Sequence, residues 1–174
     1  MTPLTSKVCV VGDFAVGKTS VTERFVNNQF SDKYLSTVGV KIDTKEIDSQ
    51  ALGMMHKLVI WDVAGSDEFG ATEFAYLRGA SGYIFVADGT RPDTLAVVEH
   101  LHGQITQTYG PAPFVLLVNK RDLESEWIVS DEYIDALADA YENVYRTSAK
   151  TGDDVEQAIR RLAELIVEKE VRSA

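Results

Sequence analysis

Gly12-Asp13-Phe14-Ala15-Val16-Gly17-Lys18-Thr19 fits the pattern G-x-x-x-x-G-K-[ST], in which every fixed residue type has a role in holding phosphate. The glycines let the backbone curl until successive N–H groups point at an anion. Lys18 supplies a point charge for β- and γ-phosphate oxygens, and the Thr19 hydroxyl is a hard oxygen ligand for Mg²⁺. The apolar run Val8-Cys9-Val10-Val11 precedes the loop as a buried strand. Val21, Phe25 and Val26 follow at helical spacing, so a helix N-terminus faces the anion. Asp13, Phe14, Ala15, Val16, Gly17, Lys18, Thr19 and Ser20 are the candidate contacts for a nucleoside phosphate.

Two further strand ends carry matching chemistry. In Trp61-Asp62-Val63-Ala64-Gly65, a carboxylate at a strand end can hold the hydration shell of Mg²⁺, and the Gly65 N–H can reach a γ-phosphate. In Asn119-Lys120-Arg121-Asp122, the Asp122 carboxylate can accept from both the N1–H and the exocyclic N2–H of guanine. Adenine has neither donor and would leave that carboxylate unpaired, a penalty that can reach roughly 10⁴-fold in discrimination. Thr147-Ser148-Ala149-Lys150, after the last expected strand, can offer backbone N–H groups to guanine O6.

These motifs need a frame that brings strand ends together. Strands are expected at Lys7–Val11, Val38–Ile47, Lys57–Asp62, Tyr83–Ala87, Phe114–Val118 and Asn143–Arg146. Helices are expected at Lys18–Asn27, Glu68–Arg78, Pro92–Thr108, Asp131–Tyr141 and Asp153–Lys169. The alternation predicts α/β architecture with a mostly parallel sheet and helices on both faces. Only Asp48 to His56 separates the second and third strands, too little for a crossover helix, so that pair is expected to be antiparallel. Pro92 falls near one helix start, and Ser130 or Asp131 suits another as N-cap. In such sheets a ligand lies beyond the carboxyl ends of the strands.

The 174 residues suit a single domain, 1–174, and 45% hydrophobic with 25% charged residues is ordinary for a globular chain. A net charge of −10 disfavours a nucleic-acid partner or an anionic membrane held by bulk electrostatics. The single cysteine, Cys9, excludes an intrachain disulfide framework and suggests a reducing, cytoplasmic setting. The last residues contain no cysteine to prenylate, so no direct membrane anchor is expected. The three histidines, His56, His100 and His102, suggest no metal site beyond Mg²⁺.

With these motifs in order along its length, the chain resembles a Ras-superfamily small GTPase. Tyr34-Leu35-Ser36-Thr37-Val38-Gly39-Val40, Trp61-Asp62-Val63-Ala64-Gly65 and Leu77-Arg78-Gly79-Ala80 are similar to the Rab branch. The resemblance implies a three-layer P-loop NTPase G domain, with a six-stranded mostly parallel sheet, one antiparallel strand and five helices. It also implies GTP or GDP with Mg²⁺, and a monomeric switch that binds an effector protein, a nucleotide-exchange factor and an activating protein. By position it makes Thr37 a second Mg²⁺ ligand beside Thr19 and Asp62. It sets Phe30 against the guanine and Tyr34 over the phosphates, and it gives Lys18, Thr37, Gly65 and the residue after Gly65 the catalytic positions.

That residue is Ser66, where the family usually has a glutamine to orient the attacking water. A serine hydroxyl is too short to span to that water, and Asp67 and Glu68 add negative charge beside an anionic transition state. Phe14 stands where the Rab branch commonly has a small residue, and a benzyl group there competes for the space of a partner's arginine. In Ras-type enzymes such an arginine is worth roughly 10³–10⁵ in rate. The expected function is a switch that binds GTP and hydrolyses it slowly; the alternative is a GTP-locked binding or scaffolding module without turnover.

Overall fold

Along β1 (Leu4–Gly12), Val8 and Val10 face one way and Cys9 and Val11 the other, and all four are fully buried. A strand buried on both faces needs a helical layer on each. The computed structural model, which describes residues 4–31, 39–64 and 70–173, has both layers. Val8 and Val10 pack with Ile60, Val86 and Leu117 under α1 (Lys18–Asn27) and α5 (Val155–Ser173). Cys9 and Val11 pack with Phe85, Leu116 and Val118 under α3 (Asp93–Tyr109) and α4 (Asp131–Tyr141). The period of two in the strands and the apolar stripes of the helices thus produce two separate cores, one on each side of the sheet.

The other elements are β2 (Val40–Ser49), β3 (Met54–Val63), α2 (Ala71–Tyr76), β4 (Gly82–Asp88), β5 (Phe114–Asn119) and β6 (Val144–Arg146). The sheet runs β2-β3-β1-β4-β5-β6. Only β2 is antiparallel, pairing with β3 from Val40↔Val63 to Ser49↔Met54; the remaining neighbours are parallel. Strand order reverses around β1, so the crevice at its carboxyl end is the topological switch point. The fold expected from the sequence is present: six strands, one of them antiparallel, and five helices among the described residues. None of those helices is long and apolar enough to cross a membrane.

Element ends differ from expectation where tertiary pairing overrides local pattern. The β2–β3 ladder extends through Asp48↔Met55, leaving only residues 50–53 as the turn. β1 begins at Leu4 rather than Lys7, because Leu4, Thr5 and Ser6 find partners at His56, Lys57 and Leu58. Helix α2 stops at Tyr76 instead of Arg78, and the chain turns away through Leu77 N–H to the Phe74 carbonyl at 3.1 Å. The start expected for that helix, Glu68, lies outside the described residues, as does Val38 at the head of the expected second strand. Ser130 is the N-cap of α4, its hydroxyl accepting from the Tyr133 N–H at 3.1 Å.

At the far end of the sheet, His56 is fully buried with its Nε2 2.8 Å from the Ser6 hydroxyl. Its Nδ1 has no hydrogen-bond partner among the described residues. Burial therefore holds this imidazole below its ordinary pKa. A base depressed in the folded state takes its proton more readily when unfolded, so stability falls as pH drops through the unfolded value near 6.5. Urea denaturation at pH 7.5 and 5.5 should show His56 contributing a loss of at most about 1.4 kcal/mol at the lower pH. His56→Gln should remove that part of the slope; an unchanged slope would show that His56 carries none of it.

Candidate functional site

At the two glycines of the loop after β1, neighbouring groups leave no room for a side chain. A Cβ on Gly12 would lie 2.3 Å from the Val86 carbonyl oxygen. Gly17 has φ of 101°, a left-handed conformation, and a Cβ there would lie 2.4 Å from the Asn119 Nδ2. Helix α1 then starts at Lys18 with no side-chain cap, so its first-turn N–H groups and positive dipole end face the loop.

Four successive carbonyls of the loop are each held by a different side chain. Lys18 Nζ donates to Asp13 at 2.7 Å, Arg91 Nη2 to Phe14 at 2.7 Å, Lys120 Nζ to Ala15 at 2.9 Å, and Asn119 Nδ2 to Val16 at 3.1 Å. In a trans peptide the next N–H points away from the held carbonyl, so the N–H groups of Ala15, Val16 and Gly17 are directed to the opposite side. Ala15 itself has φ of 59°, a further left-handed residue of the kind that builds anion-binding nests. The Phe14 side chain stands beside the loop, 46% exposed.

Lys18 is 6% exposed, and burial pulls its ammonium pKa down to about 8 against the opposing pull of Asp62 and Asp13. Thr19 Oγ1 donates to Asp62 Oδ2 at 2.6 Å, so a hydroxyl and a fully buried carboxylate from two different elements converge. Hard oxygens of this kind are what Mg²⁺ takes from a protein when phosphate and water complete its shell. Among the described residues no group of three His, Cys, Asp or Glu side chains forms a rival metal site. Tyr34, Thr37, Gly65 and Ser66 lie outside the described residues.

On the other flank, Asn119 at the end of β5 ties three loops together. Its Oδ1 accepts from Thr147 Oγ1 and from the Ala149 N–H, each at 3.2 Å, while its Nδ2 serves the phosphate loop. Asp122 Oδ1 accepts from the Ser148 hydroxyl at 2.7 Å, and Ser148 Oγ in turn accepts from the Thr151 N–H. Arg24 of α1 holds the Ala149 carbonyl at 2.8 Å and the Lys150 carbonyl at 2.5 Å. Ser20 lies in the first turn of α1, and Phe30 is 36% exposed beyond the helix end.

Three residues not singled out from the sequence belong to this constellation: Arg24, Asp88 and Arg91. Asp88 ends β4 and is fully buried; its Oδ1 accepts from the Thr90 N–H and hydroxyl, at 2.8 and 2.7 Å. Its Oδ2 pairs with Lys120 at 3.0 Å and Arg91 at 3.2 Å. Burial by itself raises its pKa, but the Thr90 hydrogen bonds and Lys120 outweigh it and keep the carboxyl below its ordinary value. Inspecting the residue after every strand would have found Asp88, since β4 ends there as the other strands end at their motifs. Arg24 offers no such signal; it is one basic residue on an amphipathic helix.

The Ras family model matches residues 7–168. Ras-related protein Rab-3A from Homo sapiens is 36% identical over 166 residues, covering 94% of this chain and 74% of the relative. Ras-related protein Rab-32A from Dictyostelium discoideum is 36% identical over 177 residues, 95% and 80% respectively. Ras-related protein Rab-3C from Bos taurus is 33% identical over 165 residues, 94% and 72%.

Gly17→Ala tests the close approach. The left-handed φ costs an L-residue about 1–2 kcal/mol, and the new methyl would displace the Asn119 amide that bridges the loops. Chemical denaturation should show a destabilisation of at least about 1 kcal/mol; a stabilised variant would contradict the geometry.

Proposed function

Because the chain belongs to the Ras family, as a Rab-like small GTPase, we propose that its whole length acts as one G domain, a switch that binds GTP or GDP with Mg²⁺ and hydrolyses GTP slowly. The reading is carried by the meeting, at one edge of the sheet, of a phosphate nest, a Thr19–Asp62 oxygen pair and an Asn119–Asp122–Ser148 cluster.

The N–H groups of Ala15 to Gly17 and the start of α1 receive the phosphates, and Lys18 exchanges the Asp13 carbonyl for their oxygens. Bound Mg²⁺, held through Thr19, Thr37 and Asp62, would supply Lewis-acid neutralisation of charge between the β- and γ-phosphates. Asp122 accepts from the guanine edge, kept in place by Ser148, while Asn119 and Lys120 fix the base loop to the phosphate loop. Loops held through the γ-phosphate relax when it leaves, which changes the surface offered to effector and regulator proteins. Ser66 leaves the attacking water without the usual amide, and Phe14 fills space beside the loop that an activating arginine uses.

In a single-turnover assay with Mg²⁺ the rate should fall below about 4 × 10⁻⁴ s⁻¹, the intrinsic range of Ras itself. Ser66→Ala should leave it within about twofold, because removing a hydroxyl that orients no water forfeits no transition-state bond. Ser66→Gln should accelerate hydrolysis more in a Phe14→Gly background than alone. A faster wild-type rate that Ser66→Ala abolishes would overturn the slow-switch reading.

The depressed Lys18 pKa gives a second test. The ammonium must be protonated to hold phosphate, so binding weakens as pH rises through about 8 in the free protein. Between pH 7.5 and 8.5 the GDP affinity should drop about threefold. Titration calorimetry in buffers of different ionisation heat should show proton uptake that Lys18→Met removes.

A further inference from the structure

We propose that Arg91, seated on the buried Asp88 carboxylate, is a positioning residue that fixes the Phe14–Ala15 peptide of the phosphate loop and thereby aims the Ala15 N–H at the phosphate beyond the first. The inference rests on the nucleotide occupying that loop. The other three carbonyl holders, Lys18, Lys120 and Asn119, come from the sequence motifs themselves. Arg91 comes from the turn after β4, outside every motif, and takes the one remaining carbonyl at 2.7 Å.

The geometry makes this bond more than a surface contact. The guanidinium forks: Nε meets Asp88 Oδ2 at 3.2 Å while Nη2 reaches the Phe14 oxygen. Asp88 is fully buried and itself held by Thr90, so the anchor of the fork cannot drift. Arg91 and Lys120 share the same carboxylate oxygen and hold adjacent carbonyls, which couples the outer half of the loop to the base-binding segment. The peptide so held immediately precedes Ala15, whose left-handed φ of 59° is unfavourable for an L-residue. Such a conformation persists only where its surroundings over-determine it, and two cations on successive carbonyls do so here. The Arg91 charge is also felt at Lys18, across the loop.

The two Arg91 bonds leave from different nitrogens of one planar guanidinium, Nε to Asp88 and Nη2 to Phe14, and a single lysine Nζ at this position has no second donor atom to take one of them. The test compares GDP and GMP, which differ by the phosphate that the Ala15 N–H would face, using competition against a fluorescent guanine nucleotide. Arg91→Ala should weaken GDP about tenfold, the effect of losing one charge-assisted hydrogen bond, while GMP affinity changes less than twofold. Arg91→Lys should recover only part of the GDP affinity, and it supplies the comparison if the alanine variant folds poorly. An equal loss for both nucleotides would assign Arg91 a merely structural role and overturn the proposal, as would an unchanged ratio. A wild-type protein that binds GDP no more tightly than GMP would refute the phosphate-loop reading itself, whereas a wild-type preference that the variants retain refutes only the role of Arg91.

Discussion

A nest of backbone N–H groups works only if the carbonyls between them are turned the other way and kept there. Left to itself, a glycine-containing loop samples many peptide orientations, and ordering each residue costs about 1–2 kcal/mol. In this protein Lys18, Arg91, Lys120 and Asn119 supply that ordering by holding the carbonyls of residues 13 to 16. Those four side chains come from α1, the turn after β4, and the end of β5. The loop is therefore rigid only because the sheet sets those strand ends side by side, and the two cores exist to keep them so.

Charge is arranged to the same end. The chain carries a net −10, yet Lys18, Arg91 and Lys120 all converge on one loop. Concentrated cations repel one another, and Arg91 does lower the Lys18 pKa. Asp88, Asp62 and Asp13 moderate that repulsion, and Asp88 does so from full burial. Of these pairs only the carboxylate is fully buried, so loss of a cation would leave a desolvated charge behind on Asp88. The same economy explains the Thr19–Asp62 bond, where a buried carboxylate needs a donor and a hydroxyl supplies one.

Much of this was legible in the chain. Continuous apolar runs ending in Gly12, Asp62 and Asn119 marked three of the strands, and each ends at a motif. The hairpin followed from a connection too short for a helix, and five helices followed from apolar spacing. What escaped was the end of β4. Asp88-Gly89-Thr90-Arg91 matches no phosphate or base motif, and an aspartate before a glycine reads locally as a turn. The bond from the Ala149 N–H to Asn119 also has no local signal, since which acceptor a backbone donor meets depends on the neighbouring loop.

Sequence alone determined which donors and acceptors Lys18, Thr19, Asp62, Asn119 and Asp122 offer, because these follow from residue type and not from the fold. It determined the layering as well, through the two periodicities that strands and helices impose on apolar residues. Only the tertiary structure decided how those groups are held. The bonds from Arg91 to Phe14, from Lys120 to Asp88 and from Arg24 to Ala149 join residues 77, 32 and 125 positions apart. No local pattern encodes such a pairing, since it exists only once parallel strands set their ends along one edge.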